Sequence, residues 1–281
     1  MDLPLSRALV PRLEWMPRAG STNEVLVRAA SGSSGPSGSS GPSGSSASAW
    51  PAFAVVATDD QVSGRGRLGR TWSAPAGKAL AVSVLLRPRA DTALWGTLPL
   101  LAGAAVRRAV ESVLAGAVLP GHPVALKWPN DVLIGGSKVS GVLGELLPDA
   151  RGLVIGAGIN LTLAADELPV PTATSLELAG APAASLGVDA VLSAYLRELV
   201  ALFSAWESAG GSARESGLLD ELGSTSATLD RAVRVELPGG LVRTGTARAI
   251  DDDGRLVVDT DDGSALVVAA GDVTHLRLRD G

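Results

Sequence analysis

The chain has 281 residues and no cysteine. Disulfides, thiol nucleophiles and thiolate zinc sites are therefore excluded, and a cytoplasmic setting is permitted. Histidine is almost as scarce, with two in all. His122 lies in a Gly-His-Pro turn and His275 among short C-terminal strands, so neither a histidine-based triad nor a histidine metal cluster is credible. A basic excess is also missing: 24 Lys and Arg face 29 Asp and Glu, a net charge of −5. That balance argues against a general binder of nucleic acid or anionic membrane. The start, Met1-Asp2-Leu3-Pro4, has no basic stretch leading into an apolar core, so no secretory signal is expected. The longest apolar run, Leu94 to Val106, stops at Arg107-Arg108 and is too short to cross a bilayer. The Asp251-Asp252-Asp253-Gly254 run lacks the remaining spacing of a calcium loop and reads as a solvated turn.

Residues 31 to 46 repeat the hexapeptide Ser-Gly-Ser-Ser-Gly-Pro and offer no apolar side chain to bury; a disordered Ser/Gly/Pro-rich insertion over 31–49 is expected. Around it the pattern is ordered. Ser21-Thr22-Asn23-Glu24 is a capping box opening a short helix to Ala30. Strands are expected over 53–58, 79–86, 124–127, 132–134, 138–147 and 153–161, with Gly135-Gly136 as a hairpin turn. Helical spacing marks 97–114 and 189–206. After Gly223 the texture changes to five short strands (233–237, 242–250, 256–260, 265–268 and 273–278) punctuated by Gly-Gly and Asp-Gly pairs. The expected fold is α+β: a mixed-sheet catalytic domain over 1–225, then a small β-barrel over 226–281.

Three clusters carry chemistry. Gly64-Arg65-Gly66-Arg67-Leu68-Gly69-Arg70-Thr71-Trp72 places three glycines and three arginines within seven residues. Glycines permit sharp turns and close approach, and arginines supply forked donors for carboxylate or phosphate, so the stretch reads as a loop that closes over an anion. Its G-x-G-x-x-G spacing matches the dinucleotide fingerprint, but that fingerprint needs a helix starting on the glycines. Here Thr71-Trp72-Ser73-Ala74-Pro75 leads to a strand instead. In the second cluster, Lys127-Trp128-Pro129-Asn130-Asp131 with Lys138 beyond the hairpin, the lysines suit phosphate or carboxylate oxygens. Asp131 suits a metal ion or a proton from an amine; a plain tight turn with surface lysines fits the same residues. The third, Gly156-Ala157-Gly158-Ile159-Asn160, suggests close approach of a ligand or another backbone to a strand, with Asn160 able to pair with an adenine edge.

In this order the clusters resemble the biotin protein ligases: S-T-N at 21–23, Q-x-x-G-R-G-R-x-G-R-x-W at 61–72, K-W-P-N-D at 127–131, K-x-x-G at 138–141 and G-x-G-I-N at 156–160. The resemblance implies a biotin/lipoate ligase-type catalytic domain, an SH3-like C-terminal barrel and a two-step reaction. Biotin and ATP form biotinyl-5′-AMP with magnesium, and the acyl group then passes to a lysine of a biotin carboxyl carrier domain. It implies that Lys138 offsets the repulsion between carboxylate and α-phosphate, and that Arg65, Gly66 and Arg67 close over the ligand. Ser21, Thr22, Asn23 and Gln61 would hold the biotin head; Trp72 and Asn160 would lie near the adenosine. Lys127, Asn130 and Asp131 would face phosphates and Mg2+, with Asp131 also as the base for the incoming lysine. The twenty residues before Ser21, including Pro4, Pro11 and Pro17, cannot hold a winged helix, so no DNA partner and no membrane partner are expected. The rival readings are a lipoate ligase of the same fold and a non-catalytic biotin sensor.

Overall fold

A computed structural model of the chain describes residues 1–32, 50–114, 123–237, 240–269 and 272–275. Nearly all of the Ser/Gly/Pro repeat, His122 and the last three residues of the expected final strand lie outside them.

Seven strands form the larger sheet: β1 (Arg12–Trp15), β2 (Ala54–Thr58), β5 (Ala79–Leu86), β6 (Val124–Lys127), β7 (Asp131–Ile134), β8 (Ser137–Leu146) and β9 (Leu153–Asn160). Their order is β1-β2-β5-β9-β8-β7-β6. β1 pairs with β2 in parallel and every other pair is antiparallel, which makes the sheet mixed. Alternation along the central strands divides their side chains between two cores. Val55 and Ala57 of β2, with Leu80, Val82, Val84 and Leu86 of β5, join the main core. That core is completed by α3 (Leu98–Leu114) and α4 (Val188–Ser208), whose Trp206 and Tyr195 are fully buried. Ala54, Val56 and Leu85 point the other way, onto Leu26 and Ala30 of α2 (Thr22–Ala30), the helix that follows the short α1 (Pro4–Arg7) and β1. Ser21 caps α2 by accepting from the Glu24 amide, one half of the expected capping box, while the Glu24 carboxylate turns to Arg28 and Arg65. Burial of α3 carries a charge with it: Arg107, 8% exposed, bonds Glu111 and Glu221, while Arg108 bonds Glu221 and Glu198. These pairs tie α3 to α4 and to α5 (Leu218–Ser224), and they offset the cost of burying the Arg107 charge, although its Nε is left without a partner.

The Gly135-Gly136 turn closes the β7–β8 hairpin with both residues at positive φ, 55° and 85°. A two-residue type I′ turn requires this, and glycine adopts it without strain. The C-terminal strands β10 (Ala232–Glu236), β11 (Val242–Ile250), β12 (Leu256–Thr260), β13 (Ala265–Val268) and β14 (Asp272–His275) form a second, antiparallel sheet in the order β13-β12-β11-β10-β14. Their number and antiparallel pairing are those expected for the SH3-like unit.

Candidate active site

One cavity of about 1000 Å³, counting its open mouth, gathers the sequence clusters. Ser21–Asn23, Gln61, the arginine segment, Lys127–Asp131, Lys138, Gly141 and Gly156–Gly158 all line it. Five basic side chains (Arg65, Arg67, Arg70, Lys127 and Lys138) face it against one carboxylate, Asp131, among the described residues. In a chain of net charge −5 this concentration is a local feature, suited to a ligand carrying several negative charges.

The chemical centre is built on the β7–β8 hairpin. Asp131 opens β7 opposite Gly141, and the pairing slips by one residue between Val132 and Leu133, so that β8 carries one extra residue. Bulges of this kind re-aim side chains beside functional sites. Just before the slip, Lys138 is held by its backbone: its N–H donates to Thr172 O at 2.7 Å and its carbonyl accepts from Thr174 N at 2.8 Å. Its ammonium lies 2.6 Å from Asp131 Oδ1. Gly141 keeps the space above the pair open, since a Cβ there would lie 3.1 Å from Lys138 Nζ.

The arginine segment has no helix after its glycines, as the sequence predicts. β3 (Gly64–Arg65) pairs with β4 (Thr71–Trp72), and a 3-10 turn over Arg67–Gly69 joins them. The Gly66 N–H donates to Arg70 O at 2.6 Å across this turn. The base of the segment is tied to residues ahead of α2, through Val62 N–H to Ala19 O and Ser63 N–H to Gly20 O. Arg65, 55% exposed, reaches Glu24 of α2 at 3.1 Å.

The small residues of β9 make room for side chains. A Cβ at Gly156 would overlap the amide of Asn23, and one at Gly158 would lie 2.6 Å from the Trp72 indole. The close approach to this strand is made by the side chains of Asn23 and Trp72, not by the ligand or second backbone expected from the sequence. Gln61 accepts from the Thr22 N–H at 2.8 Å. Asn130 lines the cavity while its Nδ2 donates to Val142 O at 2.9 Å. Asn160 stands apart from the other expected residues: it is not among those lining the cavity, and its Nδ2 donates to Thr174 O at 2.8 Å. Trp128, between Lys127 and Pro129, is 3% exposed and donates from its indole to Gly254 O at 3.0 Å, tying the hairpin to the C-terminal sheet. Arg70, part of the anion loop read from the sequence, lines the cavity, whereas Ser83 and Glu145 carry no signal in the sequence. Ser83 is hidden in the apolar run Ala-Leu-Ala-Val-Ser-Val-Leu-Leu, and Glu145 is one acidic residue among many.

The chain is similar to known proteins over most of its length. Residues 43–160 match the Biotin/lipoate A/B protein ligase family, and residues 228–276 match the Biotin protein ligase C terminal domain. A biotin–[acetyl-CoA-carboxylase] ligase of Mycobacterium tuberculosis is 38% identical over 95% of this chain and 90% of its own length. The chain belongs to the biotin protein ligase family. A second such ligase, from Paracoccus denitrificans, is 32% identical over 90% of this chain and 96% of its own. Among solved structures, the Aquifex aeolicus biotin protein ligase in complex with biotin and ATP aligns with a TM-score of 0.71 at 26% identity, covering 95% of this chain and all of that one. The Leishmania major ligase in complex with biotinyl-5-AMP aligns at 0.57 with 26% identity, over 92% of this chain and 99% of the other.

Proposed function

We propose that this chain is an ATP-dependent biotin protein ligase that activates biotin as biotinyl-5′-AMP and transfers it to a lysine of a biotin carboxyl carrier domain. The observation that carries the reading is the Lys138–Asp131 pair at 2.6 Å inside a cavity whose other walls are a polar head (Thr22, Asn23, Gln61) and an arginine segment. The biotin carboxylate attacks the α-phosphorus of ATP, and the α–β bridging bond breaks to release pyrophosphate. Both reactants are anions. Lys138 lies where it offsets their repulsion, and its charge is most effective in a site that excludes water. Arg65, Gly66 and Arg67 close over the mixed anhydride and retain it. In the second step the carrier amine attacks the anhydride carbonyl, AMP leaves, and Asp131 takes the ammonium proton. Trp72 borders the adenosine, and Lys127 and Asn130 face the phosphates.

Magnesium is expected with the nucleotide. Among the described residues no group of three or more His, Cys, Asp or Glu could hold a metal ion. Mg2+ commonly takes one or two carboxylates plus substrate phosphates, and Asp131 fits that limited role, in which the ion would neutralise phosphate charge. We place the domain boundary near residue 225 and the protein in the cytoplasm, acting on a carrier protein. No helix among the described residues is long and apolar enough to cross a membrane.

The test mixes protein, ATP and magnesium with biotin or lipoate and measures pyrophosphate release. Biotin-dependent release is expected. Release with lipoate alone would replace this reading with that of a lipoate ligase, and binding of biotin without release would make the protein a sensor.

A further inference from the structure

Ser83 sits midway along β5 and is fully buried, yet the reaction above gives it no task. Its strand neighbours Val82 and Val84 enter the main core, so Ser83 faces α2. There its Oγ lies 2.6 Å from Asn23 Oδ1 and 2.7 Å from Thr22 Oγ1. Asn23 Nδ2 donates to Glu145 Oε2 at 2.7 Å and to Leu143 O at 3.3 Å. Thr22 Oγ1 also lies 3.2 Å from Gln61 Oε1, the oxygen that receives the Thr22 N–H.

Counting donors and acceptors gives this chain a direction. A carboxylate and a backbone carbonyl only accept, so Asn23 must present Nδ2 to them and Oδ1 to Ser83. An amide oxygen cannot donate, so Ser83 gives its one proton to Asn23 and has only a lone pair left for Thr22. Gln61 Oε1 is an acceptor as well. The Thr22 hydroxyl is therefore met by acceptors on the protein side and commits its proton inward. What remains for the cavity is a lone pair.

We infer that Ser83 and Glu145 are positioning residues that hold Thr22 as a hydrogen-bond acceptor. They thereby select a ligand head carrying N–H donors, a cyclic urea, over one that carries none, such as a dithiolane. The inference rests on the ligase reading and adds its source of selectivity: a head without N–H leaves a buried acceptor unpaired, which is the strongest form of rejection such a site has.

The test uses the full chain, with pyrophosphate release as the readout and biotin methylated at one or the other ureido nitrogen as the competing substrate. Ser83→Ala raises the KM for biotin about tenfold and Glu145→Leu about threefold, as expected for loss of part of one buried hydrogen bond. The KM for ATP and kcat stay within about twofold, and discrimination against at least one methylated isomer weakens in both variants. Glu145→Gln, which keeps an accepting oxygen, restores the wild-type KM. Folded Ser83→Ala and Glu145→Leu proteins with wild-type biotin KM and discrimination would overturn the inference, as would losses falling equally on biotin and ATP. Should Ser83→Ala fail to fold, the two variants at half-buried Glu145 decide alone. Absence of biotin-dependent release from the wild-type protein would overturn the ligase reading itself, a separate and distinguishable result.

Discussion

At the head of the cavity Thr22 and Asn23 are 4% and 5% exposed, and each is held by side-chain hydrogen bonds reaching β5, β8 or Gln61. Across from them the arginine segment rests on two residue pairs and one 3-10 turn, with Arg65 and Arg70 exposed. The first wall is continuous with two hydrophobic cores and moves only if the sheet moves. The second is a short hairpin with two exposed arginines, and the proposed function has it open and close as lids do. On the proposed function, recognition would fall to the sheet wall and retention of the intermediate to the arginine segment, with Lys138 between them.

The largest effect is expected where the two walls share one group. Lys138→Ala should lower adenylate formation about a thousandfold, near the cost of removing a preorganised charge from a transition state. Biotin binding, measured by calorimetry, should change much less, because the head contacts are untouched. A variant that lost binding and rate together would merge the two walls into one. Next in size is Arg65→Gly. It should speed escape of biotinyl-5′-AMP into solution by about ten- to a hundredfold, the range of one or two charge-assisted hydrogen bonds. Biotin KM should hardly move. An unchanged escape rate would remove the retention role.

The two glycines of β9 allow a matched test. Gly156→Ala pushes on Asn23 and Gly158→Ala pushes on Trp72, from the same strand and only two residues apart. Each should cost about 1–3 kcal/mol of stability through overpacking, visible as a lower melting temperature. Their functional effects should separate: Gly156→Ala raises biotin KM about tenfold, if half of that strain falls on the head contacts, while Gly158→Ala chiefly speeds adenylate escape. Identical profiles for the two variants would erase the distinction between the walls.

The same contrast explains what could be read without coordinates. The helix cap at Ser21, the Gly135-Gly136 hairpin and the long strands β5 and β9 are local patterns, and their physics is complete within a dozen residues. β1 was not anticipated, because Arg-Leu-Glu-Trp has no strand signature of its own and becomes a strand by pairing with β2. α5 is a seven-residue helix, too short to show a period. The partners of Asn23 were hidden for a different reason. Ser83 and Glu145 are 60 and 122 residues away along the chain and meet it only because the sheet order brings β5, β9 and β8 under α2. Glycine spacing at Gly156 and Gly158 signalled close approach but not by what, since a missing Cβ leaves no mark of its neighbour.

The smallest effect is expected at an exposed side-chain ion pair that joins the walls. Glu24 belongs to α2 and bridges Arg28 at 2.9 Å and Arg65 at 3.1 Å. It looks like a latch, but its side chain is 44% exposed and Arg65 is 55% exposed, so solvent and salt screen the pair. Exposed pairs of this kind contribute about 0–1 kcal/mol. Glu24→Gln should therefore leave the melting temperature nearly unchanged and alter adenylate escape by no more than about twofold, with that difference vanishing at high salt. Retention would then depend on contacts that Arg65 makes to the ligand. An escape rate approaching that of Arg65→Gly would show instead that the segment is held shut by α2, and the division between a rigid recognising wall and a ligand-ordered lid would have to be redrawn with Glu24 on both sides of it.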